Sequence, residues 1–259
     1  MPDGLTSSHH TAELALVRSI EERASNAWPA LETRLVRGWL MRFSGGYTKR
    51  ANSVYAWRPE VPLADIISHA ADVYRSRGLP LVVRLTPLAD SAADAMLAAR
   101  GFARLDESIV MTAPLAATGF VRDSATTIAS APSHEWLDGF ATANLVPASR
   151  RLLHDAMVSN IARPVAFARL DDAHGPGQAW GIGAVERDFV GLFDIVTAPS
   201  VRRQGAGRRL VGHMLWWART QGATIAYLQV VATNSPAVAL YRRLGFEETY
   251  RYHYRIAPG

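Results

Sequence analysis

The chain has 259 residues, 49% of them hydrophobic and 20% charged, with a formal net charge of +5. That is enough for one large core or two ordinary ones, and the composition is too apolar for disorder. The absence of cysteine excludes disulfides and thiolate metal sites. No uncharged apolar run approaches the ~20 residues that span a bilayer, and the start has no signal-peptide pattern, so the cytoplasm is the expected address.

In chain order, residues 1–12 are expected to be a flexible N-terminus. The apolar spacing of "AELALVRSIEERASNA" then predicts an amphipathic helix. "GWLMRFSGGYTKRANSVYAW" predicts two strands joined around Ser44, Gly45 and Gly46. A helix over 63–77, a strand "LPLVVRL", a helix "SAADAMLAAR" and a strand "ARLDESIVMTA" follow. The small-residue stretch after Pro114 places a boundary near residue 118, with one lobe over 13–118 and a second over 119–259.

In the second lobe, Ser133 and Ser149 precede two helical patterns, over 134–144 and 150–160. "VAFARLD", "QAWGIGAVER" and "FVGLFDIVT" predict three successive strands, with turns at 172–177 and Asp188. A helix "RRLVGHMLWWARTQ", a strand "TIAYLQVV", a helix "SPAVALYRRL" and a strand "EETYRYHYRI" complete the chain. The two lobes end alike. Laying Gly78 on Gly222 puts Gly101 on Gly245, Phe102 on Phe246, Ser91 on Ser235 and Asp90 on Asn234 without a gap. The same register sets Val61 and Leu63 against Gly205 and Gly207, and Leu97 against Tyr241. Duplication is the better explanation, and the first copy has lost its glycines.

The stretch "VTAPSVRRQGAGRRL", residues 196–210, lies between an apolar strand and a helix. Its glycines let backbone approach a ligand closely, and the first-turn amides of the helix lack internal partners. A diphosphate suits such a place. The spacing is neither that of a Walker loop nor that of a dinucleotide fingerprint. The arginine excess by itself points to codon usage in a GC-rich, bacterial-type genome, since Lys49 is the only lysine. A nucleic-acid face would need these arginines clustered among aromatics.

Downstream stands "LQVVATNSPAVALYRRLGF": a strand, an Asn, and a Tyr seven residues on, before Leu-Gly-Phe. With "IVTAPSVRRQGAGRRLV", this closely resembles the Gcn5-related N-acetyltransferase (GNAT) superfamily over residues 176–257. The whole resembles tandem GNAT proteins with a degenerate N-terminal lobe. The resemblance implies an α/β fold, with a mixed, splayed central sheet flanked by helices and a second GNAT-like lobe before it. It also implies acetyl transfer from acetyl-CoA to a primary amine by direct attack on the thioester, with no metal. The acceptor would be a small-molecule or peptide amine. A non-catalytic acyl-CoA-binding module and, more remotely, a nucleic-acid-binding protein are the alternatives; no membrane partner is expected, and the oligomeric state is not readable.

By that resemblance, the backbone of Ile195, Val196 and Thr197 would pair with the pantetheine arm. Amides of Arg203, Gln204, Gly205, Ala206, Gly207 and Arg208 would hold the pyrophosphate. A main-chain N–H near Val196 or Thr197 would stabilise the oxyanion. Tyr241 falls where the family places its general acid. Asn234 would contact the cofactor or brace the splay, with a helix cap as its structural role. Many relatives carry a glutamate five positions before this Asn; here Gln229 cannot take a proton. Asp194 is the next candidate for the base, and a water chain is the other route. The acceptor pocket is expected around the helices at 134–160, the strand near Trp180, the last strand and the first lobe, with Trp136, Tyr250, Tyr252 and Tyr254 available as walls.

Overall fold

The computed structural model describes residues 3–116, 119–172 and 175–258, with the side chains of 3–10, 12 and 172 left aside. The boundary expected at residue 118 and part of the turn expected at 172–177 lie outside the described residues. Helix α1 spans Asp3–Ala27, so it begins within the stretch taken as the N-terminal segment. By contacts the chain divides into two compact units. One comprises residues 1–25, 30–109 and 250–259, and the other residues 26–29 and 110–249.

The first unit holds β1 (Glu32–Val36), β2 (Trp39–Phe43), β3 (Val54–Ala56), α2 (Ile67–Arg75), β4 (Val82–Leu85) and α3 (Ala93–Ala99). β1 and β2 form an antiparallel hairpin; β2 pairs with β3, and β3 runs parallel to β4. The strand β1 was not expected: its "ETRLV" is exposed at nearly every position, so it lacks the alternation that marks a half-buried strand. The helix expected over 63–77 begins instead as a 3-10 turn, Leu63–Asp65, before α2.

The core of this unit is polar at its centre. Arg84 makes a bidentate pair with Glu21, and both are buried. Tyr250 donates its hydroxyl to Glu21 at 2.6 Å, and the Arg84 guanidinium lies 3.9 Å from the Tyr252 ring centroid. A buried ion pair depends on partners for its remaining donors and acceptors. Tyr250 serves a Glu21 oxygen and the Tyr252 ring covers the guanidinium, while Arg84 Nε has no hydrogen-bond partner among the described residues. "GGYTKRANS" closes on itself: the Asn52 side chain accepts from the amides of Ser44 and Gly46 and donates to Thr48.

The second unit begins at the C-terminal part of β5 (Ala103–Pro114) and continues with β6 (Thr126–Ala129), α4 (His134–Ala143) and α5 (Ala148–Ser159). β7 (Val165–Asp172), β8 (Gly175–Glu186) and β9 (Phe189–Thr197) follow, then α6 (Ala206–Thr220), β10 (Ile225–Val231) and α7 (Ser235–Arg243). The last strand, β11 (Glu247–Ile256), starts in this unit and ends in the first. β6 to β9 form an antiparallel meander, and β10 joins β9 in parallel. This is the mixed sheet expected from the sequence. Ser133 caps α4 by accepting the Trp136 amide, whereas α5 starts one residue before Ser149, behind Pro147.

Two helices lie against this sheet with opposite demands. The side of α6 bearing Leu210 and Met214 packs close enough that a Cβ at Gly181 would meet both side chains. On α4, Gly139 makes room for the Trp180 indole, which is otherwise buried. Trp136 stacks on Phe140 and donates its indole N–H to the Ala168 carbonyl. Among the described residues no helix is long and apolar enough to cross a membrane.

Candidate active site

Three local features converge at the C-terminal ends of β9 and β10. The first is a parting of strands. β9 and β10 are in register from Phe189↔Ile225 to Leu192↔Leu228, and the pairing stops there although both strands continue. Residues 194–197 therefore have no register partner on β10. On its other edge β9 remains paired to β8 through Val196↔Trp180 and Thr197↔Ala179. Between that stretch and Ile182↔Phe193 the register slips, so β9 carries a bulge, and Asp194 within it has φ +50°.

The second feature is the turn into α6. Arg203 has φ +66° and Gly205 φ +89°, and Gly205 is the N-cap with no side chain capping the helix. Only glycine takes that conformation without strain from a Cβ. Gly207 is needed for a different reason: a Cβ there would lie 3.3 Å from Leu240 and 3.5 Å from Thr197. The first-turn amides of a 15-residue helix are thus presented without a cap, at its positive end. The third feature is α7, whose N-cap Asn234 accepts the Ala237 amide at 3.3 Å. One helical face carries Pro236, Leu240 and Arg243 into the same space, with Tyr241 beside them.

Together these enclose a cleft of about 810 Å³, within the range of sites that bind small ligands and cofactors. Its lining includes Ile195, Val196, Thr197, Arg203, Gly205, Ala206, Gly207, Arg208, Asn234 and Tyr241. Gln204 is not among the lining residues; its side chain turns back to the Ser200 carbonyl. Arg202, Arg243 and Asn144 line the cleft as well, and no acidic residue does. The sequence pattern gave no reason to pick Asn144 or Arg243, because each enters from the end of a helix whose packing had to be known first.

Tyr241 is buried, with its ring edge-on to Phe246. Burial alone pushes its phenol up to about 12, so the hydroxyl keeps its proton throughout the neutral range. Asp194 is placed differently from the rest. It does not line the cleft; its Oδ2 lies 2.9 Å from His154 Nε2. His154 is fully buried on α5, stacks on Phe140, and has Asp155 Oδ1 3.0 Å from its other nitrogen. Burial, the largest influence, opposes charge on the ring, yet the hydrogen bonds and charges of Asp194 and Asp155 raise its pKa above the ordinary value. Nothing in the sequence marked His154, which stands forty positions from Asp194 in a plain amphipathic helix.

The aromatic residues weighed as acceptor walls, none of them assigned individually, are buried. Trp136 and Trp180 are buried in the second unit, and Tyr250, Tyr252 and Tyr254 are buried in the first. None of the five lines the cleft.

Comparison with known proteins shows the family. A family profile described as "Probable histone acetyltransferase Rv0428c C-terminal" matches residues 12–255. A relative described as an uncharacterized N-acetyltransferase, YobR of Bacillus subtilis, is 30% identical over 244 residues, 93% of this chain and 98% of its own. A solved GCN5-related N-acetyltransferase from Kribbella flavida superposes with a TM-score of 0.68 at 16% identity, covering 93% of this chain and 95% of that one. A tandem GNAT protein from the clavulanic acid biosynthesis pathway superposes at 0.58 with 15% identity, covering 76% and 70%. At these identities the two structures speak for the fold.

Proposed function

The chain belongs to the GNAT N-acetyltransferases, in the family described as the C-terminal part of the probable histone acetyltransferase Rv0428c, and we propose that its cleft receives acetyl-CoA and transfers the acetyl group to a primary amine. One observation carries this reading. The open edge of β9, the uncapped start of α6 and the buried phenol of Tyr241 line a single cleft that holds arginines and no acid.

Each part has a task that its chemistry allows. The amides from Arg203 to Arg208 and the positive end of α6 hold a diphosphate. Backbone of Ile195, Val196 and Thr197 pairs with the amides of the pantetheine arm as a neighbouring strand would. An N–H of Val196 or Thr197 stabilises the negative charge that develops on the thioester oxygen as the amine attacks. A donor of this kind is typically worth ~10²–10³ in rate. As the C–N bond forms and the C–S bond breaks, Tyr241 gives its proton to the departing sulfur. The acceptor nitrogen loses its proton by way of Asp194, one residue from the lining, or by way of water. Asn234 fixes the start of α7 and with it the position of Tyr241.

The acceptor is a small-molecule or peptide amine. The family description names a histone acetyltransferase, which favours a peptide, while the fold alone fixes no acceptor. The test is calorimetric titration of the protein with acetyl-CoA, beside a folded Gly205→Val/Gly207→Val variant. Thiol release is then followed with polylysine and with a peptide bearing an N-terminal alanine. Micromolar binding that the double variant loses, and thiol release that depends on the amine, are the expected results. Binding without thiol release from any amine tried would leave a donor-binding module. Absence of binding by the folded wild type would refute the reading.

A further inference from the structure

His154 is a buried titratable group with no part in the reaction as described above. Its two ring nitrogens face two carboxylates, Asp194 at 2.9 Å and Asp155 at 3.0 Å. An imidazole can donate to both only as the imidazolium. The bond to His154 is the only side-chain hydrogen bond of Asp194 among the described residues.

Asp194 is where restraint is needed. It carries a side chain at φ +50°, at the point where the β8–β9 register slips. Such a conformation costs about 1–3 kcal/mol and persists only where its surroundings over-determine it. Pairing with β10 cannot supply that restraint, because it ends at Leu192. The three residues that follow Asp194 line the cleft. A rotation at the bulge would swing their amides directly.

We propose that His154 is a positioning residue: braced by Asp155, its imidazolium clamps Asp194 and so fixes the bulge that aims the backbone of Ile195–Thr197 into the cleft. The expected effect on rate rests on the acetyltransferase reading; the clamp itself does not. Asp155 on its own helix and Asp194 on β9 face the ring with carboxylates, while Phe140 of α4 covers one ring face without charge. The two carboxylates raise the pKa of the ring against burial. The clamp is therefore closed below that raised value and loosens as pH climbs through it, when a neutral ring donates from one nitrogen only. Acetyl transfer then falls on the alkaline side.

Nitrogen-15 NMR of the imidazole tests the clamp without any turnover. The ring should titrate with a midpoint above that of a free imidazole, both nitrogens being protonated below it, and Asp194→Asn should move the midpoint down; a midpoint at or below that of free imidazole overturns the proposal. His154→Phe keeps the packing and removes the clamp, and His154→Gln keeps a donor that does not titrate. With polylysine or the alanine peptide as acceptor, His154→Phe should lower kcat by about tenfold or more, the scale on which small misplacements act. Its Kd for acetyl-CoA should rise by a smaller factor than kcat falls, since the turn into α6 is untouched and only the pairing of Ile195–Thr197 with the pantetheine arm is loosened. His154→Gln should lose less and show no alkaline fall. Unchanged kcat in His154→Phe, or an alkaline fall retained in His154→Gln, overturns the proposal. If His154→Phe does not fold, the profile of His154→Gln decides. A wild type that neither binds nor uses acetyl-CoA refutes the functional reading and leaves the NMR titration to judge the clamp.

Discussion

The chain contains a like-ordered strand–helix–strand unit twice, and one copy lines the cleft. β4, α3 and β5 match β10, α7 and β11 in order and in register. Both helices end identically: Gly101 N–H donates to Ala98 and Phe102 to Leu97, as Gly245 donates to Arg242 and Phe246 to Tyr241. The preceding helices also end alike, through Gly78 to Arg75 and Gly222 to Arg219. Both start with an amide–oxygen side chain near the N-terminus: Asp90 accepts from Ala92, and Asn234 accepts from Ala237. The copies part where a ligand would lie. Leu63, at the position of Gly207, is 1% exposed and fills its surroundings, and the Val61 carbonyl, at the position of Gly205, is taken by the Trp39 indole. Leu97, where Tyr241 stands, is wholly buried and apolar. The lesson is that a scaffold and a cradle are separable. Two glycines and one hydroxyl distinguish a packed core from a binding cleft on the same framework.

Exchanging residues across that comparison should break it unequally. The largest effect is expected from Gly207→Leu, which forces a side chain against Leu240 and Thr197. Calorimetry should show acetyl-CoA affinity reduced by about a hundredfold or more, roughly 2.7 kcal/mol. The reciprocal Leu63→Gly should gain no donor binding and should cost stability instead. About 2–5 kcal/mol is expected from emptying so buried a site, measurable by urea unfolding. Donor binding that survives Gly207→Leu would mean that the turn is not the cradle.

Tyr241→Phe sharpens the second difference. Removal of a positioned acid lowers kcat by about 10²–10⁴, while acetyl-CoA affinity should change little because the ring remains packed on Phe246. A variant that keeps wild-type kcat would return Tyr241 to the packing role that Leu97 has. The smallest effect concerns the two helix starts. Asn234→Ala should cost about 0.5–2 kcal/mol of stability, the usual worth of an N-cap, and Asp90→Ala less, since Asp90 meets the Ala92 amide ahead of α3, whose N-cap is Ala92. Only Asn234→Ala should also weaken acetyl-CoA, since only Asn234 lines the cleft. Loss of stability with no change in affinity would make Asn234 a cap and nothing more.

Much of this was legible in the sequence, because it depends on neighbours along the chain. Helical and strand periodicities placed all but the shortest or most exposed elements. The missing β6 is four residues long, and β1 has no buried face to betray it. The glycine turn was legible from its own residues, because a turn conformation is set within a few positions, and Asn234 and Tyr241 were singled out by the resemblance to the GNAT superfamily. The cleft's partner residues and the role of Asp194 were not legible. Asp194 reads either as a base or as a strand-end residue with a structural hydrogen bond; in the fold its side chain does meet a partner, His154, which the sequence did not name. The tyrosines of β11 could be read as core or as pocket walls; in the fold they are buried in the first unit, with Tyr250 on Glu21 and Tyr252 on Arg84. Local sequence determined which backbone conformations were available and which chemistry each motif could offer. Tertiary structure alone decided which side chains would meet, because a hydrogen bond or an ion pair depends on distances of a few ångströms between segments that chain order leaves unrelated.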